Sequence, residues 1–170
     1  MAGDGYACSG GSSIGTRSVK KPVSDYTDIK EVRQLMANAA RYNNKEVAIA
    51  AFQRLCELEG QKYADPIERN FYAGLAAYEE LLSEKNGRKT LASRTRQKLR
   101  NKSVMECLTD WAKSKHPTDG FRLLIERGLP ELTAEYLVVE YAGRFPQKAA
   151  ENAARRLIDA GVTLPKTIEP

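Results

Sequence analysis

Apolar side chains recur three and four residues apart through most of this chain, and Gly, Pro and Asn interrupt the runs at short intervals. That period places the apolar positions on one face of an α-helix. Ile29, Val32, Leu35, Met36, Ala39 and Ala40 make the first such face, with Asp28 and Glu31 as its capping box. The Asn43-Asn44 pair predicts a turn, with Asn44 capping a second helix that carries Val47, Ala51, Phe52, Leu55 and Leu58. Gly60 is placed to end that helix in the left-handed conformation. A link this short obliges the two helices to lie antiparallel, as a helical hairpin.

The third helix has the clearest start. Asp65 caps it, Pro66 takes the first helical position and Glu68 completes a box. The pattern predicts a helix over 66–85, with Ile67, Phe71, Leu75, Tyr78 and Leu82 turned inward and Gly87 as its stop. The basic stretch 88–101 then reads as a fourth helix, and Ser103 with Glu106 boxes a fifth carrying Val104, Cys107, Leu108 and Trp111. Residues 113–119, with Pro117, read as a loop. A short sixth helix holds Phe121, Leu124 and Ile125 and ends at Gly128. Pro130 opens a seventh with Leu132, Tyr136 and Val139, and Pro146 opens an eighth with Ala150, Ala153, Leu157 and Ile158, closed by Gly161. Leu137-Val138-Val139 has strand propensity, but a lone strand leaves its backbone groups unpaired, so helix is the consistent reading.

The predicted fold is therefore all-α, a compact bundle of seven to eight short helices. Residues 1–24, rich in Gly and Ser, read as a flexible tail; 25–162 form one domain; 163–170 trail at the C-terminus. Arg122, Leu124, Ile125, Glu126, Gly128 and Leu129 match Arg155, Leu157, Ile158, Asp159, Gly161 and Val162 at a constant offset of 33. Such an echo admits degenerate helical-hairpin repeats, although any amphipathic helix ending in Gly resembles another.

Composition changes this picture little until charge is mapped along it. A chain of 170 residues suits one domain and, at that size, buries roughly 70% of its surface without help from disulfides or metal. Cys8, Cys56 and Cys107 are odd in number, far apart and without a CxxC pair, which fits small buried hydrophobes in a reducing compartment. No apolar run approaches the ~20 residues of a membrane span, and no signal-peptide core is present. The expectation is a cytoplasmic protein with no membrane partner.

The net charge is a modest +5, but residues 85–105 hold +8 without a single acid, which leaves −3 for the other 149. Within the segment 85–102 the candidate contacts are Arg88, Lys89, Ser93, Arg94, Arg96, Lys98, Arg100 and Lys102, with Lys85 at its start. On a helix, Lys89, Ser93, Arg96 and Arg100 share a face, while Leu91, Ala92, Thr95 and Leu99 turn to the core. Arg is suited to phosphate because its planar fork meets two oxygens at once. The expected function is nucleic-acid binding through the phosphate backbone without base readout, consistent with an accessory subunit of a larger machine. No aromatic residue interleaves with the basic run, which removes the usual stacking platform and puts duplex or backbone contact, and DNA before RNA, ahead.

Two other readings stand beside it. The cations can dock an acidic protein surface, as in a helical adaptor, or they can form an ordinary surface paired with acids such as Glu79, Glu80, Glu84, Glu131 and Glu135. A carboxylate/metal nuclease built on Glu79, Glu80 and Glu84 is a further alternative, but such sites normally sit on a sheet. A helix-turn-helix over 93–111 lacks the usual turn Gly and has its basic helix in the first place instead of the second. His116 is the single histidine and lies in a polar loop, and no phosphate-binding glycine loop, serine elbow or HExxH is present. No catalytic residue, metal ligand or cofactor is assigned.

Overall fold

Local capping explains where most helices begin. The computed structural model describes residues 21–168, and among them the chain forms eight α-helices and no strand. Helix α1, Ile29–Arg41, starts at Asp28, whose carboxylate accepts from the Lys30 N–H. Helix α2, Lys45–Gly60, starts at Asn44, which accepts from Val47 N–H. Helix α3, Pro66–Asn86, starts at Asp65, which accepts from Ile67 and Glu68 N–H with Pro66 in the first turn. Helix α5, Val104–Lys113, has the reciprocal Ser103–Glu106 box. The Gly/Ser-rich stretch read as a tail lies outside the described residues except for 21–24, and Cys8 lies outside them too.

Several helix ends share one device. At Asn43, Gly87, Gly128 and Gly161 the backbone turns left-handed, with φ of 52°, 64°, 70° and 73°. At Gly128 and Gly161 the N–H returns to Ile125 and Ile158, and the following N–H, of Leu129 and Val162, returns to Leu124 and Leu157. The offset-33 echo is this shared cap: helix α6, Asp119–Glu126, and helix α8, Gln147–Asp159, end in the same way.

Three expectations about boundaries need correction. Gly60 does not terminate α2 in the left-handed conformation; it is the last residue of the helix and is buried. A Cβ there would lie 2.6 Å from the Arg69 carbonyl oxygen, so the glycine lets α2 approach α3 closely. Pro130 does not open the seventh helix but a 3-10 turn, Pro130–Leu132; helix α7, Ala134–Glu140, starts at Thr133, whose hydroxyl accepts from Tyr136 N–H. The basic helix α4 is Ser93–Asn101, so residues 88–92 are outside it.

Helix α3 is the spine. Val32, Ala51 and Leu55 close the α1–α2 hairpin, while Cys56, Ala77, Leu81 and Leu124 join α2, α3 and α6. The largest core lies on the other side, where Ile67, Phe71 and Leu75 of α3 meet Leu108 of α5, Val138 of α7 and Leu157 of α8. Tyr78, expected in the buried stripe, is only half-buried. Arg156 of α8 staples this core. It donates to the Trp111 and Ser114 carbonyls and to Glu135 Oε1 at 3.1 Å. Ile168 N–H donates to the Glu140 carbonyl, bringing the end of the described chain back to α7. Among the described residues no helix is long and apolar enough to cross a membrane.

Candidate polyanion interface

The basic segment is a loop and a short helix laid across the end of α3. Gly87 ends α3, and the chain then doubles back, so that Ser83 Oγ accepts from Thr90 N–H at 2.8 Å. Glu79, two turns inside α3, accepts from Ala92 N–H at 2.9 Å. Ala92 is the residue before α4 and has no side chain able to cap it, so a carboxylate from another helix fixes the helix start instead.

The expected stripe therefore does not exist as one helical face. Lys89 is in the loop before α4, and Arg96 is committed to Glu79 by two short bonds, Nε to Oε1 at 2.6 Å and Nη2 to Oε2 at 2.7 Å. At 100° per residue, Arg94 and Lys98 each lie about 160° around α4 from Arg96. Of the expected inward positions, Ala92 is buried, Thr95 and Leu99 are half-buried, and Leu91 is 47% exposed.

Asp110, on α5, divides the cations further. Lys98 and Lys102 both reach its Oδ2, at 3.0 and 2.6 Å, and together they hold its carboxyl below the ordinary carboxylate value. Lys98 also stands 5.0 Å from the centre of the Trp111 ring. Among the described residues, Lys85, Arg88, Lys89, Arg94 and Arg100 make no ion pair, and all five are exposed, as is Ser93. The three carboxylates considered for a metal are each taken by a different arginine: Glu79 by Arg96, Glu80 by Arg33, Glu84 by Arg127. No group of three candidate metal ligands occurs among the described residues.

Tertiary packing supplies what the sequence order concealed. Arg94, Thr95 and Lys98 form one edge of a cleft of about 360 Å³ between α3, α4, α5, α6 and α7. Its floor is Phe71, Leu75, Phe121 and Leu137, and Tyr78 and Trp111 stand in its walls. Aromatic rings and the basic segment are therefore neighbours in space, although none interleaves with the run in sequence. Burial pushes the Tyr78 phenol up, with Asp119 adding to the rise and Arg94 opposing it. The linear sequence carries no signal for this grouping, because Tyr78, Arg94, Trp111 and Phe121 belong to four different helices.

A second cationic concavity lies between the α5–α6 link and α8, lined by Lys113, Lys115, Lys148 and Arg155, with Asp159 the acid among them. It too is assembled from distant segments, so no run of charge along the chain announces it. His116 is exposed in the adjoining loop. No protein-family model, curated protein or solved structure matches this chain.

Proposed function

We propose that the protein binds nucleic acid through its phosphate backbone, using the exposed cations of 85–102, with DNA placed before RNA. The observation that carries this reading is the set of five arginines and lysines, Lys85, Arg88, Lys89, Arg94 and Arg100, that have no carboxylate partner among the described residues. Like charges grouped this way repel one another unless a polyanion neutralises them. Ser83 and Glu79 hold the backbone of Thr90 and Ala92, within the same segment, so the charges around them are presented from a fixed frame and not from a frayed end.

The division of labour within the segment supports the same reading. Arg96 anchors α4, and Lys98 and Lys102 are shared with Asp110. The remaining cations are exposed on the loop and on α4. Contacts of this kind are made with phosphate and carry no base sequence. The protein then serves as an accessory binding module, with chemistry supplied elsewhere.

One observation favours docking to an acidic protein instead: Leu91 stands 47% exposed beside Lys89, an apolar contact that phosphate does not need. A titration separates the two. Duplex DNA, single strands, structured RNA and an acidic polypeptide are compared between about 50 and 150 mM salt, where phosphate contacts show a steep dependence. Binding of nucleic acid with log affinity falling linearly in log salt supports the proposal. Binding of the polypeptide alone overturns it in favour of the adaptor.

A further inference from the structure

The cleft beside α4 has an arrangement that phosphate contact alone does not use. Its volume of about 360 Å³ falls at the lower end of the roughly 300–1,000 Å³ of clefts that take small organic groups. The floor is apolar, and the charged groups come from different elements: Arg94 and Lys98 from α4, Asp119 and Glu131 from α6 and the turn before α7. Lys98 is shared with Asp110, so Arg94 is the cation left to meet an anion there.

Gly120 packs beside the ring of Tyr78. A Cβ at Gly120 would lie 3.7 Å from Tyr78 Cδ1 and Cε1, an ordinary contact, and the residue does not adopt the left-handed backbone that demands glycine. The glycine thus serves neither a turn nor a tight approach. A larger side chain at Gly120 would therefore lie against the Tyr78 ring and fill the cleft beside it.

An aromatic-lined cleft that also holds two carboxylates and an arginine without an acidic partner among the described residues matches a nucleotide. The base stacks on the aromatic ring, the phosphate meets the cation, and carboxylates accept from the amino groups on a base edge. We propose that this cleft takes an unstacked base of single-stranded nucleic acid, laid against Tyr78, with its phosphate at Arg94 and its amino group at Asp119 or Glu131. The proposal rests on the polyanion reading above and extends it from the backbone to one base.

The test compares a short oligodeoxycytidylate with an abasic oligomer of equal length, which has the same phosphates and no bases. Trp111, the single tryptophan of the chain, reports from the cleft wall. The wild type should prefer the base-bearing strand by at least about fivefold, the low end for one base on an aromatic ring. Its emission should change with that strand only. Gly120→Leu, which covers Tyr78, should abolish the preference and leave abasic binding and the melting temperature unchanged. Tyr78→Leu, which removes the ring and keeps much of the volume, should likewise abolish the preference and leave abasic binding unchanged, so a folding fault in one variant does not end the test. Equal affinity of the wild type for the two oligomers overturns the base site and leaves the backbone reading standing. Failure to bind either at about 50 mM salt overturns both.

Discussion

Arg96 and Glu79 form a two-pronged ion pair that is part of the scaffold, although Arg96 belongs by sequence to the basic segment. Both guanidinium bonds are short, 2.6 and 2.7 Å, and the same carboxylate accepts the Ala92 N–H. Glu79 is buried at 7% exposure, so this one side chain ties α3 to the start of α4. A buried carboxylate stripped of its arginine is left far worse off than an exposed one.

Substitutions within the segment should therefore separate into two kinds. Arg96→Ala leaves Glu79 with only the Ala92 N–H, and should lower stability by about 1–3 kcal/mol. Arg88→Ala, Lys89→Ala and Arg94→Ala combined should leave the melting temperature nearly unchanged. They should weaken duplex binding by a similar factor on every sequence and flatten the salt slope by about 0.9 for each phosphate no longer neutralised. Thermal melts and salt titrations on both variants check this. A triple variant that binds as the wild type does, with the same slope, removes the basis of the proposed function.

Asp110 restrains two of the cations, and its removal should strengthen binding. Asp110→Asn frees Lys98 and Lys102 from their shared partner. The salt slope should steepen by between about 0.9 and 1.8 as one or both lysines reach phosphate. Stability should barely move, because exposed ion pairs contribute little. Glu46→Gln, in the first turn of α2, makes the same change in net charge and should leave the slope where it was. Equal steepening in both variants means that net charge alone is at work.

Local chemistry makes most helix starts legible, because a cap and its N–H are within three residues of each other. Asp28, Asn44, Asp65, Ser103 and the left-handed glycines 87, 128 and 161 are all readable in that way. The start of α4 is not, because its capping carboxylate, Glu79, is thirteen residues upstream on another helix. Gly60 misleads for the same reason: its constraint is the Arg69 carbonyl of α3, which no local pattern displays. The cations of the candidate site are visible as a run, but not which of them have partners. The aromatic cleft is invisible, since five helices must pack before it exists.

Two glycines that face the cleft should respond oppositely to the same substitution. Gly74 lies inside α3, where a Cβ would come 2.3 Å from the Leu132 carbonyl oxygen. Gly74→Ala must push the Pro130–Leu132 turn off α3 and should cost about 1–3 kcal/mol, as overpacking does. Gly120→Ala meets nothing nearer than 3.7 Å, and should be neutral or stabilise by up to about 1 kcal/mol through helix propensity. Chemical denaturation of the two variants side by side decides it. A stable Gly74→Ala protein would mean that the turn is not held against α3.

Glu135 is a titratable group inside the core. It is 1% exposed, its Oε1 accepts from Arg156, and its Oε2 has no hydrogen-bond partner. Burial is the largest influence and raises its carboxyl above the ordinary value of 4.5, with the Arg156 bond and charge opposing. A carboxyl raised in this way binds its proton more tightly in the folded chain than in the unfolded one. Its contribution is therefore fully present below pH 4.5 and is lost as pH rises through the folded value. Glu135→Gln keeps the shape and cannot titrate. The melting temperature of the wild type minus that of the variant should fall as pH is raised from below 4.5 through the raised folded value. A difference that stays flat, or that grows with pH, would show that the Arg156 pairing outweighs burial at this site.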